Sequence, residues 1–309
     1  MEHIFAGNPL DRGDVIRRDE NLLSINSKSE NAKYLLMKDL NPLVLFRKNN
    51  SLISWKKFDY ISKIFSKNIL ENFIFLGSIN GEEFFVLDVS MEEKLILEKD
   101  ESFCDSREIA TELSQGESGI LSQARAQLEW HKRTKFCSSC GAETTSHRGG
   151  QVRRCLICKM EHFPRTDPVA IMLVYKGEKC ILGQTRARQR SGFYSCLAGF
   201  IDQGESIEEA VKREVKEESG LIVGNIVYHS SQPWPFPSSL MIGCHAQALT
   251  EEINYDEEEM SDVRWFTKKE VNLAINSESS LIKVPGPVAI AHHLIKSWVN
   301  GESPKKINL

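Results

Sequence analysis

The sequence predicts a mixed α/β protein with more than one domain, and three observations support this fold class. With 309 residues the chain is long enough for two domains, and its 41% hydrophobic and 27% charged composition is typical of a globular protein. From Asp167 to about Val299, apolar runs of strand length alternate with amphipathic segments of helix length. Ahead of that region, turn signals such as Asn49-Asn50 and Asn80-Gly81 separate apolar runs that predict a β-rich mixed domain: 34–37, 43–46, 73–76 and 84–87.

A helix and a metal-binding segment are predicted next. The helix covers 118–134, with Ala124, Leu128 and His131 on one face and Trp130 beside them. Two C-x2-C pairs follow, separated by fourteen residues, and this spacing is that of a zinc ribbon with one structural Zn²⁺ per chain; its ligands are Cys137, Cys140, Cys155 and Cys158. The other cysteines are scattered singly and are expected to be small core residues: Cys104, Cys180, Cys196 and Cys244.

The region after Asp167 is expected to contain several strands and three helices. The strands are predicted at 169–175, 179–184, 194–197, 222–229, 240–249 and 262–266. The helices are predicted over 207–219, after a capping box formed by Thr267 and Glu270, and from Pro287 to about Val299.

The helix at 207–219 is marked clearly at both ends and carries unusual carboxylates. Ser206 and Glu209 form a capping box, and Gly220 lies where the helix should stop. Ile207, Ala210, Val211 and Val215 make an apolar stripe, and Glu214 and Glu218 fall inside it, while Arg213 and Glu217 lie at its border. Burial of these two carboxylates without a counter-charge would cost several kcal/mol each. We therefore expect a cation there, and an all-oxygen ligand set favours Mg²⁺ or Mn²⁺.

A proline-rich loop, which we call the substrate loop, follows at residues 231–239. Its sequence, SQPWPFPSS, alternates prolines with aromatic residues, so it is expected to be stiff and to present its rings to a flat ligand with little loss of entropy. The other interpretation is a connector whose Trp234 and Phe236 pack into the core. The residues alone leave both open.

Two motifs identify a family resemblance. Residues 199–221 match the pattern G-x5-E-x7-R-E-U-x-E-E-x-G-U, where U is apolar, at every specified position, and so resemble the Nudix hydrolases. The substrate loop resembles the motif SQPWPFPxS of their NADH pyrophosphatase branch. The resemblance is dense from about 120 to 299 and loose before that, through FAGNPLDR at 5–12. It implies a Nudix fold, with a mixed sheet between helices, at 164–300, a linker helix and zinc ribbon at 121–163, an N-terminal NADH pyrophosphatase-like domain at 1–120 and a tail at 301–309.

The resemblance also implies an activity and a metal site. The branch hydrolyses the pyrophosphate bond of NADH or NAD⁺ to give NMN(H) and AMP, with several Mg²⁺ or Mn²⁺ ions, and it also removes NAD caps from RNA 5′ ends. The matching metal ligands are Glu214, Glu218, the carbonyl oxygen of Ala198 and Glu259, with Glu257 and Glu258 as register alternatives. Glu217 or Glu218 would orient or deprotonate the attacking water. Arg213 would pair with the carboxylates and hold their rotamers.

The substrate-binding residues implied by the resemblance lie in several parts of the chain. They are Phe163, where the family has Tyr, Phe200, Gln232, Pro233, Trp234, Pro235, Phe236, Pro237, Ser238, Ser239 and Ala291. Members of the branch are commonly homodimers, and Phe163 is a candidate to come from the second chain. Two alternatives stay open: hydrolysis of ADP-ribose, FAD or CoA, and a non-catalytic zinc-ribbon module that senses nucleotides.

The net charge and the two ends of the sequence bear on where the protein is located and on what it binds. A net charge of −4 argues against a large basic surface for duplex nucleic acid. No apolar run approaches the roughly 20 residues of a membrane span, so no membrane partner is expected. The first twenty residues show neither a secretory signal nor a typical transit peptide, which favours the cytoplasm. The last residues, 306–309, weakly suggest a peroxisomal signal.

Overall fold

The computed structural model describes residues 3–48, 50–65, 72–92, 95–186, 189, 192–279 and 281–302. The chain forms two compact units. One unit is made by Asp167–Pro233 and the residues from Ser239 onward, and the other by Glu2–Thr166 together with Trp234–Ser238. The predicted mixed α/β fold class is confirmed, because each unit combines sheets with helices.

The N-terminal unit is built on a mixed sheet with strand order β3-β2-β1-β6-β5. Strand β4 pairs with β1, and β7 pairs with β2. The hairpin of β5 and β6 turns at Asn80 and Gly81, whose φ angles of 52° and 78° are those that an Asn-Gly hairpin turn requires. The strands are β1 (Ala32–Lys38), β2 (Asn41–Arg47), β3 (Asn50–Ile53), β4 (Trp55–Lys57), β5 (Ile74–Ile79), β6 (Glu82–Asp88) and β7 (Glu101–Phe103).

Short helices and one long helix complete this unit. The long helix, α5 (Gln115–Arg133), begins at Ser114, whose hydroxyl accepts from the Glu117 amide at 3.3 Å. The predicted start at 118 was therefore wrong by three residues, because this capping group was overlooked. The other helices are α1 (Asp14–Arg17), α2 (Glu20–Asn26), α3 (Phe58–Ile64) and α4 (Ser106–Ile109).

A small three-stranded sheet follows α5 and carries the cysteine pairs at its ends. Its antiparallel order is β10-β9-β8, with β8 at Thr144–His147, β9 at Val152–Cys155 and β10 at Glu161–His162. Between β8 and β9, Gly149 and Gly150 have φ angles of 60° and 84°, which the tight turn requires.

The C-terminal unit is a six-stranded mixed sheet between two layers of helices. Its order is β14-β15-β11-β12-β16, with β13 paired to β11. Strand β11 is buried on both faces: Ala170 and Met172 pack with the helix at 207–219, and Ile171 and Leu173 pack with the C-terminal helices. The elements are β11 (Asp167–Lys176), β12 (Lys179–Thr185), β13 (Leu197–Phe200), α6 (Ile207–Ser219), β14 (Val223–Trp234), β15 (Ser239–Ala248), β16 (Met260–Thr267), α7 (Lys268–Ile275) and α8 (Ile290–Val299).

Several boundaries in this unit differ from the sequence predictions. Strand β14, predicted at 222–229, extends to Trp234 and so includes the first four residues of the predicted loop. The strand predicted at 194–197 lies at Leu197–Phe200 instead, because pairing with β11 begins at Leu197. The last helix begins at Ile290 and not at Pro287, since the side chain of Gln232 accepts from the Ile290 amide at 2.8 Å and caps the helix there. In contrast, the carboxylate helix has the predicted bounds.

Other predictions stay as they were. The division of the chain at 1–120, 121–163, 164–300 and 301–309 remains a prediction, and the last residues of the tail, from 303, lie outside the described part of the chain. Within that described part, no helix combines the length and the apolar character that crossing a membrane demands.

Candidate active site

Helix α6 places two carboxylates on its buried face. The capping box of Ser206 and Glu209 fixes its first turn, and Gly220, with φ of 74°, ends it in the left-handed conformation. Glu214 is 9% exposed and Glu218 is 4% exposed, so both lie in the apolar stripe, as the sequence predicted. The helix therefore directs two acidic groups toward the sheet.

The main chain of β13 lies directly against these carboxylates. A Cβ atom at Gly199 would lie 1.9 Å from Cδ of Glu214, so only glycine leaves room for that carboxyl group. The Ala198 amide donates to Oε2 of Glu218 at 3.1 Å. Pairing of β13 with β11 fixes this stretch of backbone and thereby the surroundings of both acids.

Arg213 binds three carboxylates and one carbonyl group at the edge of the stripe. Its Nε and Nη2 donate to the two oxygens of Glu205 at 2.6 and 2.7 Å, and Nη1 donates to Glu214 at 2.6 Å and to Glu217 at 3.1 Å. Nη2 also donates to the Phe200 carbonyl oxygen at 2.8 Å. Hydrogen bonding from Arg213 lowers the pKa of Glu205 to about 2. Arg213 thus fixes the rotamers of its acidic neighbours; sequence analysis did not identify Glu205 as its main partner, although Glu205 is part of the motif.

Burial and repulsion from neighbouring carboxylates disfavour the charged form of Glu218. Desolvation, followed by the charges of Glu214 and Glu259, raises the pKa of Glu218 to about 8. Desolvation also raises the pKa of Glu214, although Arg213 opposes this shift. An added cation would relieve both costs, so the donor set fits a divalent metal ion bound through oxygen.

Glu259, the residue before strand β16, adds a third acidic charge that acts on Glu214 and Glu218. It is exposed, and its carbonyl oxygen accepts from the Arg186 amide at 3.2 Å. Its charge is among the causes that raise the pKa of both Glu214 and Glu218, which supports the predicted register. The carboxylate oxygens of Glu214, Glu218 and Glu259 do not all lie within 4.8 Å of one another.

The four predicted zinc ligands lie together in the N-terminal unit. The sulfur atoms of Cys137, Cys140, Cys155 and Cys158 all lie within 4.8 Å of one another, and none of them is in a disulfide. The Sγ–Sγ distances of 3.6 Å (Cys137–Cys158) and 3.4 Å (Cys140–Cys155) are close to those of a tetrahedron with Zn–S bonds of about 2.3 Å. The site could therefore hold one zinc ion. In the described part of the chain, no other group of three or more potential ligand side chains meets this spacing.

The second residue of the substrate loop, Gln232, is fully buried. Gln232 is 0% exposed; its Nε2 donates to the Val288 carbonyl oxygen at 2.7 Å, and its Oε1 accepts from the Ile290 amide at 2.8 Å. Ala291 is 2% exposed and belongs to the core cluster on the α8 side of the sheet. The Gln232 amide group therefore connects the loop to the start of α8, next to Ala291.

The two rings of the loop belong to the N-terminal unit. Trp234 and Phe236 are half-buried and meet the ring of Phe5 edge-on, with centroids 5.8 and 5.6 Å away. The guanidinium carbons of Arg107 and Arg125 lie 4.2 and 4.3 Å from the centroid of Phe236. The loop is thus neither a free stacking platform nor a simple core connector. These partners were missed because they are far away in the sequence.

Two further aromatic residues from the sequence prediction are exposed. Phe163, in the N-terminal unit, and Phe200, at the end of β13, are each 59% exposed. Exposed rings of this size can stack on flat ligands. Their substrate-binding roles stay predictions.

Two family models match the chain. A NUDIX domain matches residues 164–283, and an NADH pyrophosphatase-like rudimentary NUDIX domain matches residues 31–130. Among solved structures, a NUDIX hydrolase from Nitrosomonas europaea is 21% identical and has a TM-score of 0.45, covering 54% of this chain and 91% of that one.

Curated relatives cover different shares of the chain. The human "NAD-capped RNA hydrolase NUDT12" is 47% identical over 199 residues, or 61% of this chain, and this match spans less than half of that relative, 43%. The mouse "NAD(P)H pyrophosphatase NUDT13, mitochondrial" is 40% identical, with 76% of this chain and 73% of the relative covered. The "NAD-capped RNA hydrolase" of Schizosaccharomyces pombe is 31% identical, with 96% and 94% covered. With both domain models and the matches to the mouse and fission-yeast relatives, the chain belongs to the Nudix hydrolase family, in the NADH pyrophosphatase branch.

Proposed function

We propose that this protein is a metal-dependent NAD(H) diphosphatase. It would hydrolyse the pyrophosphate bond of NADH or NAD⁺ and release NMN(H) and AMP. The observation that carries the proposal is the pair of buried carboxylates, Glu214 and Glu218, held against β13. The names of the mouse and fission-yeast relatives support dinucleotide chemistry.

The residues of the site have distinct tasks in this reaction. Glu214, Glu218, Glu259 and the Ala198 carbonyl oxygen would hold Mg²⁺ or Mn²⁺ ions. When bound, these ions neutralise the pyrophosphate and lower the pKa of a coordinated water molecule. The water oxygen attacks one phosphorus atom, the bond from that phosphorus to the bridging oxygen breaks, and the second nucleotide leaves with that oxygen. Arg213 keeps Glu205, Glu214 and Glu217 in fixed orientations.

Two glutamates can accept the proton of the attacking water, and their surroundings differ. The side chain of Glu217 is 56% exposed and accepts one hydrogen bond from Arg213, so its second oxygen is free to act as a base. Glu218 is buried, and one of its oxygens accepts from the Ala198 amide. This favours Glu218 as a ligand and Glu217 as the base. Under this assignment, Glu217→Gln lowers kcat with an unchanged apparent metal affinity, and Glu218→Gln weakens metal binding itself.

The cysteine site would hold one structural Zn²⁺. A site closed by four thiolates has no open position for a substrate, so its contribution is to the stability of the N-terminal unit. The domain limits of 121–163 for the linker helix and ribbon and 164–300 for the catalytic domain belong to the same proposal.

A second substrate is NAD-capped RNA, and the names of the human and fission-yeast relatives favour it. The bond cleaved would be the same, so one substrate panel tests both proposals. Purified protein with Mn²⁺ is given NADH, NAD⁺, ADP-ribose, FAD, CoA and NAD-capped RNA, and kcat/KM is measured for each. We expect NADH, NAD⁺ or the capped RNA to exceed the others. A preference for ADP-ribose, FAD or CoA would replace this substrate assignment, and no turnover of any of them would favour a nucleotide sensor.

The assembly is proposed from the family resemblance, and the location from the targeting signals weighed in the sequence. We propose a homodimer, which light scattering after size-exclusion chromatography tests, with a monomer as the contrary result. We also propose the cytoplasm, although the mouse relative is named as mitochondrial. A fluorescent fusion decides between the cytoplasm and an organelle.

A further inference from the structure

The tip of the substrate loop has few N–H groups with which to hold its own shape; one backbone hydrogen bond within it runs from the Phe236 amide to the Trp234 carbonyl oxygen at 2.8 Å. Pro233, Pro235 and Pro237 have no N–H group, and the Pro235 residue is buried, so its carbonyl oxygen needs a donor from elsewhere. Arg125 supplies that donor, because its Nη1 donates to the Pro235 carbonyl oxygen. Its guanidinium carbon also lies 4.3 Å from the ring centroid of Phe236. One side chain therefore contacts two consecutive residues at the middle of the loop.

Arg125 lies on the long helix α5, which also contacts the segment around Phe5. Seven residues before it on the same helix face, Ser118 accepts a hydrogen bond from the Phe5 amide at 2.8 Å, and the ring of Phe5 contacts Trp234 and Phe236. The backbone of Asn8 approaches so closely that a Cβ at Gly119 would lie 2.5 Å from its amide nitrogen. The residues around Phe5 are thereby held against α5. Phe5 contacts the rings of the loop, and Arg125 contacts its Pro235 carbonyl oxygen.

The side chain of Arg125 is also partly shielded from solvent. It is half-buried, and desolvation lowers the pKa of its guanidinium group. Ordering a long side chain costs conformational entropy, and partial burial of its charge costs solvation free energy. The contacts of Arg125 with Pro235 and Phe236 offset these costs. The exposed Arg133 on the same helix, by contrast, pairs with Glu129 one turn away.

We propose that Arg125 is a positioning residue for substrate binding: from helix α5, it holds the tip of the substrate loop in the shape that receives the dinucleotide. It acts through Pro235 and Phe236 and does not itself take part in bond cleavage. This proposal rests on the proposed function of the loop and extends it, because it makes a residue outside the Nudix domain determine substrate affinity.

The test compares Arg125→Gln and Arg125→Lys with Arg133→Gln as the matched control. In Arg125→Gln we expect KM for NADH to rise about tenfold with kcat nearly unchanged, since one charge-assisted hydrogen bond and one cation–π contact are lost. Arg125→Lys keeps a charged donor and should recover part of the lost affinity. Arg133→Gln should match the wild type in both constants.

A second measurement is independent of turnover. Hydrogen–deuterium exchange of the peptide with residues 231–239 should become faster in Arg125→Gln and stay at the wild-type rate in Arg133→Gln. Faster exchange with an unchanged KM would overturn the positioning role, and so would a fall in kcat alone or unchanged exchange. If Arg125→Gln fails to fold, as circular dichroism would show, the same criteria apply to Arg125→Lys. If the wild type cleaves no dinucleotide, the proposed function fails, whereas the exchange contrast still tests whether Arg125 holds the loop.

Discussion

Gly199 lies beneath the carboxyl group of Glu214, so closely that a Cβ atom at position 199 would be 1.9 Å from Cδ of Glu214. The glycine at the start of the motif is therefore explained by the space that the Glu214 carboxyl group occupies. Its φ angle is not in the left-handed region, so backbone freedom is not the reason. The carboxyl group is the far end of a flexible side chain, so it can move away without unfolding the domain.

Replacing Gly199 should consequently damage activity more than stability. We expect Gly199→Ala to fold and to lose about 100-fold in kcat/KM, because the Glu214 carboxylate is displaced by an ångström or more. The control is Gly286→Ala, since a Cβ there would have no heavy atom within 4 Å. Kinetic assays with NADH and thermal melts of the three proteins provide the comparison. Equal activity of the two variants would contradict the role given to this contact.

Arg213 should be sensitive even to a conservative replacement. Lys cannot reproduce the paired bonds to both oxygens of Glu205 together with those to Glu214 and Glu217. We expect Arg213→Lys to lower kcat about tenfold, because the metal-binding and proton-accepting carboxylates lose their fixed rotamers. The exposed neighbour Lys212 provides the control variant Lys212→Gln, with wild-type rates expected. Wild-type kcat in Arg213→Lys would show that the carboxylates are held by other contacts.

The raised pKa of Glu218 predicts how stability depends on pH in the absence of Mg²⁺ and Mn²⁺. The folded-state pKa of about 8 exceeds the usual value of 4.5, so between these pH values the folded protein binds more protons than the unfolded one. The sign follows: stability falls as pH rises from about 4.5 to 8, by an amount on the order of a few kcal/mol, and changes little above that.

Thermal unfolding midpoints of wild type and Glu218→Gln measure this effect. The difference between the two proteins should grow in favour of Glu218→Gln as pH increases from 5 to 8.5, and added Mg²⁺ should reduce the loss in the wild type. Chelators are omitted, because they would also remove zinc. A difference that is the same at every pH would show that Glu218 titrates normally.

The cysteine cluster predicts a metal content that changes with a single residue. We expect about one zinc per chain in the wild type and less than about 0.2 in Cys155→Ser, because the ion loses one of four thiolates. Cys155→Ser should also unfold at a lower temperature. Cys104→Ser, at a cysteine outside the cluster, is the control and should retain its zinc. Elemental analysis of the purified proteins decides, and equal zinc content in all three would remove the cluster as the binding site.

Local signals in the sequence predicted the bounds of helix α6 in full. Ser206, Glu209 and Gly220 mark its ends through contacts within a few residues, so a pattern search can find them. The burial of Glu214 and Glu218 followed from helix periodicity, and the spacing of the cysteines was enough to predict their cluster.

Contacts between distant segments could not be predicted in this way. The amide group of Gln232 caps the last helix, whose start was therefore placed too early, and Phe5 contacts the rings of the substrate loop from the other end of the chain. Such partners depend on tertiary packing, for which a single sequence offers no periodic signal. The roles of Phe163, Phe200 and Ala291 depend on a bound substrate and stay predictions for the same reason.

The most direct test of the account is release of AMP from NADH by the wild type, by Glu218→Gln and by Glu208→Gln, in the presence of Mn²⁺. Glu208 is an exposed acid on the same helix, so its variant controls for the loss of one charge. The account predicts rapid release by the wild type and by Glu208→Gln, and a loss of at least about 100-fold in Glu218→Gln, where a metal ligand is removed. Wild-type turnover by Glu218→Gln would contradict the proposed metal site.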